Sequence, residues 1–235
     1  MITLRPACER GHADHGWLRT WHTFSFADYF DPRHMGWGNL RVINEDIVAP
    51  GTGFGMHGHR DMEIVTFMLA GALMHRDSMG HSATLRAGVV QRMSAGRGVL
   101  HSEMNLGDEP VHLLQIWVRP QTAGVEPSYE QRAFDPDARR GRLQPLVLPQ
   151  SSAGAEAALR WHADAALLAV RLDGAERAEH ALAPGRLACV HVARGQLAVN
   201  GVALGPGDAA LVRDEPQLRL TDGRNAEALV FDLAP

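Results

Sequence analysis

The sequence predicts an all-β protein that is built from two related β-barrels. Short runs of apolar and β-branched residues recur along the chain, and they are too short for typical helices. Glycines separate these runs, as the turns of sandwiches and barrels require. The order of strand, glycine and strand returns in the second half of the chain, which indicates a duplicated barrel.

The first barrel is predicted from the order of its elements. Its predicted strands are residues 21–32, 40–48, 64–71, 73–78, 82–85, 88–93 and 112–118. The glycines that punctuate them are Gly51, Gly53, Gly55, Gly58, Gly71, Gly80, Gly88, Gly96 and Gly98. Gly80 lies between two of these runs and indicates a hairpin.

The second barrel follows a different kind of segment. Several prolines between residues 120 and 155 predict an irregular linker, and the alanine-rich stretch 151–169 predicts a short helix. The predicted strands beyond it are residues 186–201, which turn at Gly195, 205–212 and 228–233. We therefore expect an N-terminal barrel over residues 1–140 and a C-terminal barrel over residues 141–235.

The charged residues exclude several classes of function. The formal net charge is −4, which argues against direct electrostatic binding to nucleic acid. All 23 residues counted as Lys+Arg are arginine. Because lysine is absent, a Schiff-base enzyme, a pyridoxal phosphate enzyme and a lysine-dependent phosphate loop are excluded.

The apolar and cysteine content indicates a cytoplasmic protein that does not insert into a membrane. No apolar run reaches the roughly 18 residues of a membrane span, and the first residues lack the apolar core of a signal peptide. Cys8 and Cys189 are too few for a disulfide framework. We expect a monomer.

Histidine is abundant, with 13 residues, and it is the commonest metal ligand. His57 and His59 are two positions apart, so in a strand they point to the same face. Glu63 has the same parity and would join them if the strand continued. His101 and Glu103 form a second pair with this spacing, so we expect a metal with four protein ligands from two strands.

These motifs resemble the cupin family. Gly51, His57, His59 and Glu63 resemble its first motif, and Gly88, Gly96, His101 and Asn105 resemble its second. Within cupins, the strings 22–26, 57–63, 77–80, 93–96 and 101–103 resemble the pirin family, and 115–117 and 129–132 extend the likeness. Among pirins, the chain resembles the bacterial pirin-like quercetin 2,3-dioxygenases.

The resemblance implies a bicupin, with one metal in the N-terminal barrel. It implies His57, His59, His101 and Glu103 as the ligands. Spacing alone leaves Glu63 open as the fourth ligand, since ordinary cupins use that position. Four residues separate Gly96 from His101, where the common cupin pattern has two, and pirins resemble this arrangement; we therefore favour Glu103 and give Glu63 a supporting role.

The C-terminal barrel departs from the metal-binding pattern. Aligning Gly195 with Gly71 places Ala181, Ala183 and Leu187 where the first motif has its two histidines and its glutamate. We therefore expect no metal there. In the first barrel, we expect His75, His81 and His112 to have structural or solvated roles.

The resemblance also implies a function. It predicts a metal-dependent dioxygenase that opens a flavonol such as quercetin with O2 and releases carbon monoxide, with Glu103 as the catalytic proton acceptor. Iron(II) is the expected metal, and copper, manganese, nickel, cobalt or zinc suit the same ligands. The alternative is a redox-sensing regulatory protein that docks on a transcription factor or metabolic enzyme, and a third hypothesis is a metal-dependent isomerase or lyase.

Overall fold

A computed structural model describes residues 1–154 and 156–235, and it is built almost entirely from strands. The strands of the first half are β1 (Ile2–Arg5), β2 (Gly11–Asp14), β3 (Leu18–His22), β4 (Leu40–Val48), β5 (Gly53–His59), β6 (Glu63–Ala70), β7 (Ala72–Asp77), β8 (Ser82–Arg86), β9 (Val89–Ser94), β10 (Val99–Met104), β11 (Val111–Val118) and β12 (Ser128–Ala133). Those of the second half are β13 (Gln144–Pro149), β14 (Leu159–Trp161), β15 (Ala165–Leu172), β16 (Ala178–Ala181), β17 (Leu187–Val199), β18 (Val202–Leu204), β19 (Ala209–Val212) and β20 (Gln217–Leu233). Two short 3-10 helices cover Ala7–Glu9 and Pro136–Arg139.

Two sheets form the N-terminal barrel. A seven-stranded sheet has the order β12-β9-β6-β11-β4-β3-β2, and a four-stranded sheet has the order β5-β10-β7-β8. The two sheets pack together through one apolar cluster, in which Leu73 and Leu85 of the smaller sheet meet Met68 and Leu113 of the larger one. Its interior therefore lies between the two sheets.

The C-terminal barrel is one nine-stranded sheet that includes a strand from the start of the chain. Its main path is β1-β19-β17-β20-β15-β13-β14, with β16 and β18 paired at its side. The expected all-β, two-barrel architecture is confirmed. A main division between residues 140 and 141 remains a proposal, and β1 crosses it to pair with β19.

The central strands of the larger N-terminal sheet are buried on both faces. Val65 and Phe67 of β6, with Leu114 and Ile116 of β11, pack against the C-terminal barrel in the largest apolar cluster. The alternate positions face the interior of the N-terminal barrel instead. This double burial explains why the strands look like nearly continuous apolar runs in the sequence.

The interiors of the two barrels differ in chemistry. Aliphatic side chains fill the C-terminal barrel, among them Val170, Val190, Leu220 and Val230. The N-terminal barrel instead buries several polar side chains on its inner face, and these build the site described below.

Three sequence predictions about the second half were wrong. Residues 120–154 hold β12, a 3-10 helix and β13 rather than an irregular linker. In the stretch 151–169, the described residues 151–154 and 156–169 contain β14 and the start of β15 and no helix, and residue 155 lies outside the described residues. Gly195 does not end a strand. It lies at a register shift within β17, where a Cβ would come within 2.3 Å of the Asn225 carbonyl oxygen; the glycine therefore marks a bulge.

The part of the chain that the structure describes has no helix with the length and hydropathy needed to cross a bilayer.

Candidate metal centre

Strands β5 and β10 bring three histidines together. The antiparallel register places His101 directly opposite His57, and His59 lies one inward position further along β5. The ring centroids are 4.4 Å apart for His57 and His101, and 4.8 Å apart for both pairs that include His59. Their nearest ring nitrogens all lie within 4.8 Å of one another, which is a spacing that one cation could bridge.

These histidines are electrostatically suited to bind a metal in the neutral form. Burial, together with the nearby His57, lowers the pKa of His59 to about 4. Burial and the same neighbouring rings lower the pKa of His101 to about 3. A metal binds the neutral imidazole, so these two side chains have a free lone pair at neutral pH.

The hydrogen bonds of the three rings also fit a cation. His57 Nδ1 lies 2.7 Å from the carbonyl oxygen of Gly55, so Nδ1 donates there and Nε2 keeps its lone pair. Both ring nitrogens of His101 are buried and have no hydrogen-bond partner among the described residues. Buried polar atoms are rarely left without partners, and a bound metal would satisfy one of these nitrogens. The residues therefore fit a metal site.

The next row of side chains comes from β10 and β7. Register places Glu103 opposite His75, and a bulge between His101 and Glu103 shifts the pairing of β10 with β5. Bulges change the direction of side chains next to functional sites. His75, His101 and Glu103 form a second donor group within the same 4.8 Å limit, so His101 belongs to both groups. Glu103 thus approaches the site from the side of His75.

Glu103 is held by two polar residues of the opposite sheet. Gln115 Nε2 donates a hydrogen bond of 2.6 Å to Glu103 Oε2, and Thr66 Oγ1 donates one of 3.2 Å to Oε1. Gln91 Nε2 donates in turn to Thr66 Oγ1 at 3.3 Å. Burial raises the pKa of Glu103 to about 7 despite these donors.

The polar residues around Glu103 continue as a row across four strands, from Gln91, Thr66 and Gln115 to Asn44. Asn44 of β4 pairs with Gln115 of β11, Gln115 pairs with Thr66 of β6, and Thr66 pairs with Gln91 of β9. All four are buried, with relative exposures of 8% or less. Since paired positions in a sheet lie on one face, the row forms a polar band on the inner wall of the barrel.

Glu63 lies elsewhere. The chain leaves β5 at His59 and turns through Asp61, whose φ is +49°, before β6 begins at Glu63 in the other sheet. The strand therefore does not continue, and the parity argument for Glu63 does not hold. Glu63 accepts a 2.7 Å hydrogen bond from Ser94 Oγ, and it is in neither donor group.

His75 is closer to the centre than the sequence indicated. It is fully buried, its Nε2 lies 3.1 Å from Asp77 Oδ2, and its Nδ1 has no partner among the described residues. Its ring stacks on Tyr129 with centroids 4.6 Å apart, and His81 stacks on Tyr129 at 4.9 Å. His75 therefore has a structural contact, as expected, but it also belongs to the second donor group.

A cavity of about 370 Å³ opens onto the histidines. Its lining includes the ligand candidates His57, His59, His101 and Glu103. Its aromatic walls come from Trp17, Phe26, Phe54 and Trp117. Trp117 meets His59 edge to face at 4.9 Å and Phe26 at 5.3 Å, so the aromatic wall continues to the metal-capable side chains. This volume and lining suit a planar aromatic ligand.

The polar band and the inner wall of β4 were not predicted from the sequence. The sequence feature that indicates the band is a polar residue within an otherwise apolar strand, as at Thr66 in β6 and Gln115 in β11. Which face of these strands points inward depends on the second barrel, because that barrel covers the other face.

Comparison with known proteins places this geometry in context. A family model described as Pirin matches residues 3–118, and one described as the quercetinase C-terminal cupin domain matches residues 148–233. The quercetin 2,3-dioxygenase of Escherichia coli (strain K12) is 44% identical over 236 residues and covers 100% of both chains. A pirin-like protein of Caulobacter vibrioides is 40% identical over 234 residues, again with 100% of both chains covered.

A solved structure extends the likeness. The bacterial pirin YhhW of Escherichia coli, in complex with nickel(II), superposes with a TM-score of 0.94 at 43% identity and covers 100% of both chains. That protein was therefore crystallised with a transition metal. The present chain has a histidine and glutamate cluster that could hold one.

Proposed function

This chain belongs to the pirin family, and we propose that it is a metal-dependent dioxygenase that cleaves a flavonol such as quercetin. The observation that carries the proposal is the position of the histidine cluster at one wall of an aromatic cavity. A structural metal site would be closed and rich in cysteine, whereas this cluster faces open space. The names of the relatives support the substrate class.

The proposed metal ligands are His57, His59, His101 and Glu103. The three histidines offer nitrogen lone pairs at one point, and Glu103 approaches His101 from the neighbouring row. Iron(II) is the proposed metal, and nickel, copper, manganese, cobalt and zinc accept the same ligand types. When bound, such a metal would lower the pKa of the substrate hydroxyl that chelates it and would allow electrons to pass from the substrate to dioxygen.

Glu103 is the proposed proton acceptor. Burial raises the pKa of Glu103 to about 7, whereas a nearby bound cation would favour the carboxylate, which is the form that can take up a proton and return it. Gln115 and Thr66 hold its two oxygens in place during this exchange. The substrate hydroxyl next to the histidines would give its proton to Glu103. The deprotonated ring would then take up both atoms of dioxygen and open with loss of carbon monoxide, and Glu103 would return the proton to the carboxylate of the product.

The cavity wall would bind and orient the flat substrate. Trp17, Phe26, Phe54 and Trp117 offer aromatic faces and edges, which favour offset or edge-to-face packing with a flavonol ring. These side chains also exclude water from the chelating end of the substrate. A dry site strengthens the electrostatic action of Glu103 on the substrate hydroxyl.

The test is turnover of quercetin by protein loaded anaerobically with a single metal. Oxygen uptake and carbon monoxide release are measured after air is admitted, for iron(II), copper, manganese, nickel, cobalt and zinc in turn. We expect equal amounts of quercetin and oxygen to be consumed and carbon monoxide to be released, with at least one metal. Absence of carbon monoxide with every metal would reject the activity.

Two glutamate variants provide the matched control. Glu103→Gln should lose turnover, because the amide cannot accept the proton. Glu63→Gln should keep most of it, since Glu63 lies outside both donor groups. Loss of turnover in both variants with normal metal content would contradict the role given to Glu103.

A further inference from the structure

We propose that Asp46 and Thr20 form a subsite for a second hydroxyl group of the aromatic substrate, on the sheet opposite the three histidines. The inference rests on the proposed function, because it assigns further residues of the same cavity. Within the proposed substrate class, the subsite would favour a hydroxylated ring over the same ring without the hydroxyl.

The two side chains share one wall of the cavity. Thr20 of β3 pairs directly with Asp46 of β4, and both residues line the cavity. Both have a relative exposure of 3%. They lie in the seven-stranded sheet, whereas the three histidines lie in the four-stranded sheet. A ligand in the cavity therefore meets the histidines on one side and this pair on the other.

Both side chains have an atom without a partner. Thr20 Oγ1 and Asp46 Oδ1 are buried without a well-formed hydrogen bond to any described residue, although the Thr20 hydroxyl lies close enough to the Asp46 carboxyl to favour its charged form. The next pair along these strands differs, because His22 Nδ1 and Asn44 Oδ1 lie 2.9 Å apart and satisfy one another. On strands β3 and β4, the unsatisfied atoms that line the cavity thus belong to the Thr20 and Asp46 pair.

Such a pair costs stability unless a ligand uses it. Burial raises the pKa of Asp46 to about 7, against the opposing effect of the nearby Thr20 hydroxyl. A buried polar group without a partner destabilises a protein, because its contacts with water are lost and not replaced. An apolar residue here would avoid that cost, so the polar pair needs a functional explanation.

A hydroxyl group on an aromatic ring matches both atoms. Its O–H can donate to Asp46 Oδ1, while its oxygen accepts from the Thr20 hydroxyl. The aromatic side chains around the pair suit the ring that bears this hydroxyl. A site built to bond a hydroxyl discriminates strongly against an analogue without it, because the buried polar atoms are then left unpaired.

The test compares two flavonols that share the chelating end. Quercetin and 3-hydroxyflavone both have the 3-hydroxyl and the 4-carbonyl, and 3-hydroxyflavone lacks the remaining hydroxyls. Their binding to the zinc-loaded protein is measured without oxygen, by quenching of tryptophan fluorescence. We expect quercetin to bind the wild-type protein more tightly, and Asp46→Ala to reduce that preference about 10- to 100-fold.

Three variants separate recognition from folding. Asp46→Asn keeps a hydrogen-bonding oxygen and should retain much of the preference. Thr20→Val should lose part of it. Asp28→Ala removes an exposed carboxylate next to the cavity-lining Ala27 and should leave the preference unchanged. An equal loss of affinity for both flavonols in Asp46→Ala would show a structural role and overturn the inference.

A second probe separates this inference from the proposed function. Resorcinol and 1,3-dimethoxybenzene are compared by ligand-observed NMR with the same zinc-loaded proteins. If neither flavonol binds but resorcinol is preferred in an Asp46-dependent way, the flavonol activity fails and the hydroxyl subsite stands. If quercetin is turned over while Asp46→Ala changes no preference among these ligands, the subsite is rejected and the activity stands.

Discussion

Gln115 donates a 2.6 Å hydrogen bond to Glu103, and the two residues belong to different sheets of the same barrel. Gln115 lies on β11 of the seven-stranded sheet, and Glu103 lies on β10 of the four-stranded sheet. The bond therefore joins the two walls of the cavity at the candidate metal centre. The position of the Glu103 carboxylate and its tendency to take up a proton therefore both depend on Gln115.

The first prediction concerns this bond. Gln115→Leu should weaken metal binding about 10- to 100-fold, because groups that orient a ligand contribute to metal affinity at that level. The measurement is a competition titration of nickel(II) or zinc(II) against a chromophoric chelator. Gln131→Leu is the control, since Gln131 is exposed on β12. Unchanged affinity in Gln115→Leu would show that Glu103 needs no such support.

The second prediction distinguishes the two glutamates. Protein purified without an affinity tag should carry close to one transition metal per chain, and Glu103→Gln should carry much less. Glu63→Gln should match the wild type, because Glu63 bonds to Ser94 and lies outside both donor groups. Elemental analysis of the three proteins checks this. The reverse result would assign the fourth ligand position to Glu63.

The third prediction concerns the pH dependence of stability. Burial alone would raise the pKa of Glu45, but hydrogen bonds from His112 and Arg10 outweigh it and lower the pKa to about 2 from an ordinary 4.5. A lowered carboxyl pKa stabilises the folded state above pH 4.5, and this contribution is lost as the pH falls towards 2. It amounts to about 3 kcal/mol at neutral pH.

Denaturant unfolding from pH 7 to pH 2 tests this sign. The difference in unfolding free energy between wild type and Glu45→Gln should be largest at pH 7 and should shrink below pH 4.5. Glu126→Gln is the control, because its ion pair with Arg97 is exposed and contributes less than about 1 kcal/mol. A difference that is constant with pH would contradict the assignment.

The fourth prediction concerns a glycine that the cupin likeness singled out. Gly96 has a φ of +44°, and a Cβ there would lie 2.0 Å from the Val125 carbonyl oxygen. Gly96→Ala should therefore destabilise the protein by more than the roughly 1–3 kcal/mol of an unfavourable φ. Gly80→Ala is the matched control, with a φ of +95° and open space around it. Equal changes in melting temperature would exclude the steric contribution.

The histidine pairs show what spacing alone can predict. His57 and His59 share a face because side chains in a strand alternate, and in the structure their rings lie close to that of His101. The same argument applied to Glu63 only if the strand continued, and β5 ends at His59. Asp61 turns the chain into another sheet, and only the backbone path reveals this.

The second half shows the corresponding limit for secondary structure. The alanine-rich stretch 151–169 has a composition that suits a helix, yet it contains β14 and the start of β15. There, Trp161 and Leu167 are fully buried between the barrels. Burial against a neighbouring sheet outweighs the weak local preference for a helix.

The sequence by itself determined the all-β class, the two barrels and the three histidines, because strand periodicity and ligand spacing are local properties of the chain. Tertiary structure decided which face of each strand points inward, and hence the polar band at Glu103, the place of Glu63 and the pairing of Thr20 with Asp46. Those features depend on residues far apart in sequence that meet only when one sheet covers another. The positions of His57 and His59 on one face of a strand can therefore be predicted from the sequence, whereas the residues that surround them in the cavity cannot.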